Sequence, residues 1–541
     1  MMTKVETETA SRAKDPPLWD QTVGSIIAGR LNGSSELGAH SRLYNSGRAC
    51  FNTAPMASSL LRVAPKFVPP LDPGHRPAWL GNRNFEAAAR KTRKAVKMIF
   101  ALEAAAGAVT RFETVAFPPG HPEFAENLAY AERLLKFLLW SRGGWKLSLA
   151  GPKEVANHLR AVYGPGGARA FDAEFMAKVY EKPAFVVKHC IPAALPREKD
   201  AATPAGGHLD GCRIGFDAGG SDRKVAAVID GKEVFATETV WQPKTNSDPQ
   251  YHFDGIDDSI RQAAAHLPRI DAIGVSSAGI IINNRCMAAL LFRQVPPDEF
   301  EKRIKSIYLD VARKWGDVPV EVANDGDVTA LAGAMTLKAT EVLGIAMGTS
   351  QAGGYVDQRG YIKGWLNELA FAPVDYAEDA PRDVEWSQDA GVGGLYFSQD
   401  AVIRLAGRLN FPFDAKATPG EKLKAVQEAF RQGDRRLAAL FESIGVYLGY
   451  AVLHYARFYR IRHVLLLGRV TSGEGGNILL ATARKVMKGE DPKAARSIKL
   501  HMPDEAARRV GQAIAAASLP EIANKRKARP DRKARQKSVT A

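Results

Sequence analysis

The chain has 541 residues, 45% of them hydrophobic and 25% charged, with a formal net charge of +15 at pH 7. That is a globular composition with room for two or three domains. No apolar run reaches the length of a membrane span, and the N-terminus lacks the apolar stretch of a secretory signal. The four cysteines, Cys50, Cys190, Cys212 and Cys286, form no CxxC pair. They exclude a disulfide frame or zinc site and point to reduced thiols in a cytoplasmic protein.

Residues 1–45 are polar and scattered with Gly and Ser, and are expected to be poorly ordered. A proline-rich stretch follows (Pro55, Pro65, Pro69, Pro70, Pro73, Pro77), suited to wrapping over a surface in extended form. Residues 84–106 read as a helix with a basic face, Arg90 to Lys97, opposite Val96, Ile99, Phe100 and Leu102. From Arg111 the pattern turns α/β: strands over 111–117, 146–150 and 185–187, and helices over 127–140, 152–162 and 171–180. The Pro/Gly/charge-rich run 192–207 reads as a boundary. Residues 46–195 are therefore expected to be an accessory α/β domain of unknown role. Its strands argue against a helix-turn-helix.

Next comes IGFDAGGSDRK, residues 214–224. It reads as a strand ending at Asp217, a tip of Gly219, Gly220 and Ser221, and a returning strand with Lys224 near the tip. Such a tip can hold nucleotide phosphates and a metal-bound water, or be only a flexible turn. Residues 256–266 read as a helix. The strand 271–275 runs into Ser276-Ser277-Ala278-Gly279, and residues 296–315 read as one helix. The strand at Val320 stops at Asn324-Asp325-Gly326-Asp327 before a small-residue helix. A carboxylate at a strand end suits general base work; the same residues also suit a turn with an Asx cap. The strand 343–347 then enters Gly348-Thr349-Ser350, with Gly353-Gly354 on the return, a pattern whose backbone amides can approach a phosphate. A long core helix is expected over 434–459. A strand over 463–467 ends at Gly468-Arg469-Val470-Thr471-Ser472-Gly473, and a helix over 504–517 closes the pattern. The tail from Asn524 carries eight Lys or Arg against one Asp. It is expected to be a disordered basic extension over 523–541.

The order of these motifs resembles the ROK family of bacterial glucokinases, N-acetyl sugar kinases and sugar-responsive repressors. The resemblance covers residues 210–520. It implies an α/β, two-lobed actin-like ATPase (ribonuclease H-like) fold, with lobes over 208–338 and 339–522, preceded by the smaller α/β domain. The family's D-x-G-G-T-K hairpin corresponds to Asp217 through Lys224, its N-D pair to Asn324 and Asp325, and its second phosphate loop to Gly348 through Gly354. Glu368 matches the Glu of the family's G-E-x-G-H segment, which binds sugar hydroxyls; taken alone, it is a surface carboxylate. Phe371 stands where the family has His, and no C-x-C-G-x-x-G-C follows, so the family's structural zinc is expected to be absent. Gly468-Arg469-Val470 departs from the usual Gly-Gly-Gly beside the adenosine.

The resemblance implies ATP-dependent phosphorylation of a sugar hydroxyl with ATP and Mg²⁺. In it Asp325 is the base, and Ser277, Gly279, Asn324 and Glu368 surround the sugar. Asp217 holds Mg²⁺ through water. Gly219, Gly220, Ser221, Lys224, Gly348, Thr349, Ser350, Gly353, Gly354, Gly468 and Gly473 line the nucleotide. The expected partners are a small sugar and further copies of the chain, with no membrane and, despite the basic tail, no nucleic acid. Two other readings stay open. One is a non-catalytic sugar or nucleotide sensor; the other is an acyl-CoA-related ATPase of the same superfamily, which the scattered cysteines disfavour.

Overall fold

The computed structural model describes residues 59–200, 205–384, 387–502 and 505–522. The expectations for residues 1–45 and 523–541 lie outside them.

The first sheet has the order β2-β1-β3-β4, built from β1 (Val96–Glu103), β2 (Val109–Ala116), β3 (Lys146–Ala150) and β4 (Val186–His189). Four helices accompany it: α1 (Ala78–Lys91), α2 (Glu126–Arg142), α3 (Lys153–Val162) and α4 (Ala170–Val179). The single helix expected over 84–106 is corrected here. The helix ends at Lys91, Arg93 takes a left-handed φ of 54°, and β1 begins at Val96. Met98 through Leu102 are buried without a break, because β1 is central in the sheet and its two faces pack into separate apolar clusters, Met98, Phe100 and Leu102 in one and Ile99 and Ala101 in the other. A strand covered on both faces reads as a continuous apolar run, which sequence alone does not separate from a helix.

The second sheet has the order β11-β8-β5-β6-β7. Here β5 (Cys212–Ala218), β6 (Asp222–Ile229) and β7 (Lys232–Val240) form an antiparallel meander. On the other side of β5 lie β8 (Ala272–Ser277) and β11 (Val320–Asn324), both parallel to it. Helices α5 (Pro249–Ala264) and α6 (Ile307–Lys314) make the crossovers. The single helix expected over 296–315 is broken by a wider turn at Phe300–Ile304. A hairpin, β9 (Ile280–Ile282) and β10 (Arg285–Ala288), follows Gly279 and was not anticipated.

Helix α7 (Asp325–Leu337) leads into the third sheet, order β13-β12-β14-β15. In it β12 (Val342–Met347) and β13 (Gln351–Val356) are antiparallel, and β14 (His463–Leu467) and β15 (Lys499–His501) run parallel to β12. Antiparallel strands extended on one side by parallel strands thus occur twice, as a meander in the first lobe and a hairpin in the second. That is the two-lobed actin-like, ribonuclease H-like fold. Helices α8 (Gln399–Arg408), α9 (Pro419–Arg431), α10 (Ala438–Tyr455) and α11 (Gly473–Glu490) complete the second lobe. Arg435–Tyr455 is long and apolar enough to cross a membrane, which corrects the expectation that no such run exists. Its apolar surface is buried on nearly every side, by this lobe and by the N-terminal segment that crosses it.

Helix α12 (Glu505–Ala517) returns to the first lobe and lies across β5, β6 and β8. Gly215 and Gly274 face each other on β5 and β8. A Cβ on either would come within 1.8 Å of the Ala513 or 1.7 Å of the Ala516 carbonyl, so glycine alone admits the helix at that depth. Buried Arg213 donates to the Pro520 carbonyl at 2.7 Å, just beyond the end of α12.

The first sheet does not close a core by itself. Its Phe100, Leu134, Leu135 and Trp140 belong to one apolar cluster with Tyr355, Leu366, Tyr396 and Tyr450 of the second lobe. The proline-rich segment wraps over α10: the Phe67 amide donates to Tyr450 and the Leu71 amide to Ser443.

Candidate functional site

The parallel register places the ends of β5, β8 and β11 side by side. Asp217 is opposite Ser276, and Ser277 is opposite Asn324. Carboxyl ends of parallel strands are where open α/β sheets bind ligands. Asp217 is buried and its carboxylate accepts from Ser276 Oγ at 2.7 Å and Gln512 Nε2 at 3.2 Å. Burial pushes it up to about 6, with the charges of Asp325 and Asp222 adding to the rise. Beyond it, Gly219 and Gly220 form the hairpin tip. The Gly219 carbonyl accepts from the Trp241 indole at 2.8 Å, Ser221 is exposed, and Lys224 reaches back to Asp222.

Asn324 ends β11 and caps α7. Its Oδ1 accepts from the Gly326 amide at 2.8 Å while its Nδ2 donates to the Gly279 carbonyl at 2.8 Å. The Asx cap and the strand-end carboxylate therefore coexist: Asn324 makes the cap. Asp325 follows as the first residue of α7, its Oδ1 also accepting from the Gly326 amide at 2.9 Å. Burial raises the Asp325 carboxyl above the usual range.

The loop 364–371 brings Glu368 into electrostatic reach of this turn. Burial pushes Glu368 up to about 8, helped by the nearby charges of Asp325 and Asp327. Buried Asp327 is raised to about 7, again chiefly by burial. It accepts from the Tyr355 amide at 3.0 Å and from Asn367 Nδ2 at 2.8 Å. Asp217, Asp325, Asp327 and Glu368 thus form an acidic group fed by the ends of both lobes.

At the end of the second-lobe sheet, the turn Gly348-Thr349-Ser350 follows β12, with Thr349 and Ser350 exposed. Gly468, at φ +94°, lies against the Met347 carbonyl, so β12 and β14 end together. Gly473 opens α11.

Two groups sit elsewhere than in an open loop. Ser277 is fully buried and shares its hydroxyl with Tyr308 at 2.7 Å. Gly353 and Gly354 lie inside β13. A Cβ on Gly354 would come within 2.1 Å of the Gly326 carbonyl and one on Gly353 within 2.5 Å of the Asn367 carbonyl, so Gly354 admits the first turn of α7 and Gly353 the Glu368 loop. Ser276, Gln512, Asp327 and Asn367 were missed by sequence reading. Only Asp327 left a signal, two residues beyond Asp325. Among the described residues, no group of three or more His, Cys, Asp or Glu side chains is arranged to hold a metal ion.

No family model matches the chain, and no curated protein does. Solved structures do. A ROK hexokinase from Thermus thermophilus aligns at 17% identity and TM-score 0.45 over 57% of this chain and 96% of that one. A ROK family glucokinase from Streptomyces griseus, in complex with glucose and AMPPNP, aligns at 20% identity and TM-score 0.40, over 57% and 98%. A ROK family transcriptional regulator, a homolog of the E. coli MLC protein, aligns at 16% identity and TM-score 0.46, over 68% and 89%. The chain resembles ROK kinases and regulators.

Proposed function

We propose that the protein transfers a phosphoryl group from ATP to a hydroxyl of a small sugar. The observation that carries this reading is the convergence of Asp217, Asp325 and Glu368, from three separate segments, with the Asp325 carboxylate close enough to disfavour ionisation of both of the others. Perturbed carboxyls gathered at strand ends mark candidate sites.

In this reading Asp325 accepts the hydroxyl proton as the sugar oxygen attacks. Its place on the first turn of a helix, held by the Gly326 amide, fixes the carboxylate. Glu368 and Asn324 orient the sugar, with the Gly279 carbonyl anchoring Asn324. Gly219, Gly220, Ser221 and Lys224 face the phosphates from the first lobe, and Gly348, Thr349 and Ser350 from the second. Gly468 and Gly473 border the nucleoside. Ser277, Gly353 and Gly354 are assigned to packing. Asp217 is an oxygen donor of the kind Mg²⁺ takes singly, keeping its waters, so it fits the metal that accompanies ATP. When bound, that ion neutralises phosphate charge. Such transfer is mostly positioning, so closure of the two lobes is the expected motion. A cytoplasmic homo-oligomer is part of the same reading.

The test is Asp325→Asn. The amide keeps the size but cannot take the proton, so kcat should fall by about 10²–10⁴-fold with sugar affinity nearly kept. Wild-type turnover in the variant would reduce Asp325 to a turn residue. A second reading, a sensor that binds a sugar without phosphorylating it, draws support from the turn after β14. There Arg469 and the fully buried Val470 stand where glycines were expected. A thermal-shift screen of sugars with and without ATP and Mg²⁺ separates the two, because ligands of the native state raise its stability.

A further inference from the structure

Helix α2 belongs to the N-terminal layer, yet its last turn ends against the loop that carries Glu368. The final carbonyls of a helix have no partner inside it. Gly143, at φ 81°, caps α2 through the Leu139 carbonyl and leaves those of Trp140 and Ser141 free. The Glu368 amide donates to Trp140 at 2.9 Å and the Asn367 amide to Ser141 at 3.1 Å. Side chains of the same turn grip the loop from both ends. The Trp140 indole stacks on Phe371 with centroids 4.3 Å apart. The Arg142 guanidinium lies 3.4 Å from the Trp365 ring centre and donates to the Phe458 carbonyl. Between these points Asn367 takes a left-handed φ of 52°, which Asn tolerates better than most residues. Its side chain ties Asp327 to Tyr459, the tyrosine donating at 2.9 Å.

We propose that the end of helix α2, through Trp140, Ser141 and Arg142, is the positioning element of the substrate site: it fixes the Asn367–Glu368 backbone and thereby aims the Glu368 carboxylate at the sugar. The inference rests on the sugar-kinase reading for Glu368. It gives the N-terminal layer a task in that reading, since two backbone hydrogen bonds and two ring contacts from this layer fall on four residues of the loop, Trp365, Asn367, Glu368 and Phe371.

The experiment compares Trp140→Leu with Phe175→Leu. The second variant perturbs the same indole from the side of α4, where Phe175 stacks on it at 5.1 Å. Both should lose thermal stability. Trp140→Leu alone should raise the KM for D-glucose by about tenfold or more, since misplacing a binding group costs that much, while the KM for ATP changes less than about twofold. It should also speed amide exchange across 366–371 by about tenfold relative to Phe175→Leu. Trp140→Phe, which keeps a ring on Phe371, should restore both. If Trp140→Leu does not fold, Phe371→Leu breaks the same stack from the loop side and should give the same pattern. Glucose KM values that move equally in both variants, or exchange that does not change, overturn the proposal. If the wild type phosphorylates no hexose while exchange still responds to Trp140 alone, the hold on the loop stands and the kinase reading fails.

Discussion

Two groups of buried carboxylates lie in this molecule and behave in opposite ways. At the junction of α2 and the second lobe, Asp389 meets Arg133 at 2.7 Å, Arg169 at 2.6 Å and Lys136 at 3.3 Å. Burial pushes its carboxyl up, but the three cations override that and hold it far below the usual range. In the candidate site, buried Asp327 and half-buried Glu368 lie among other acids, and they are raised to about 7 and about 8. The cost of desolvation is common to both; the supply of cations is what differs. The junction is electrostatically complete without a ligand. The site is not, and a polyhydroxylated or cationic ligand would complete it.

This contrast can be broken most forcefully at the junction. Asp389→Ala leaves Arg133, Lys136 and Arg169 without their shared anion and should destabilise the protein by about 3–5 kcal/mol, read from the denaturant midpoint. A loss near zero would mean that water reaches the cluster. Smaller and opposite in sign is the effect at the site. Glu368 binds its proton more tightly folded than unfolded, so the native state holds more protons between about pH 4.5 and 8. Stability should therefore fall as pH rises through that window. Glu368→Gln should flatten this fall and give a higher Tm than wild type at pH 8. Parallel curves for the two proteins would show that Glu368 is ionised at neutral pH. The smallest effect belongs to exposed pairs such as Arg313 with Asp310, 2.7 Å apart on the surface of α6. Arg313→Ala should change stability by no more than about 0.5 kcal/mol.

Residues close in sequence were the legible part of the site. The hairpin tip after Asp217 and the turn at Asn324-Asp325 each announce themselves by glycine and Asx at a strand end, and each lies at a strand end in the fold. The antiparallel strands followed by crossover strands in each lobe were legible for the same reason. What escaped depends on distant contacts. Asn367 has meaning only once Asp327 and Tyr459 stand on either side of it. Gly353 and Gly354 look like a phosphate loop until the Glu368 loop and the first turn of α7 are laid against them. Strand β1 looks helical until an apolar cluster is laid on each of its faces. Trp140 and Ser141 act through backbone carbonyls, which every residue has, so no side-chain pattern could single them out.

The chain's two ends are exchanged between its halves. Residues 59–200 pack on the second lobe, while α12 fills the groove that Gly215 and Gly274 leave in the first. During synthesis the strands β5, β6 and β8 emerge long before Ala513 and Ala516 exist to cover them. One face of that sheet must wait through some 240 further residues of translation, counted from Ser277 to Ala517, with its apolar surface unprotected. Chains halted in that interval are the ones most exposed to aggregation and most in need of a chaperone.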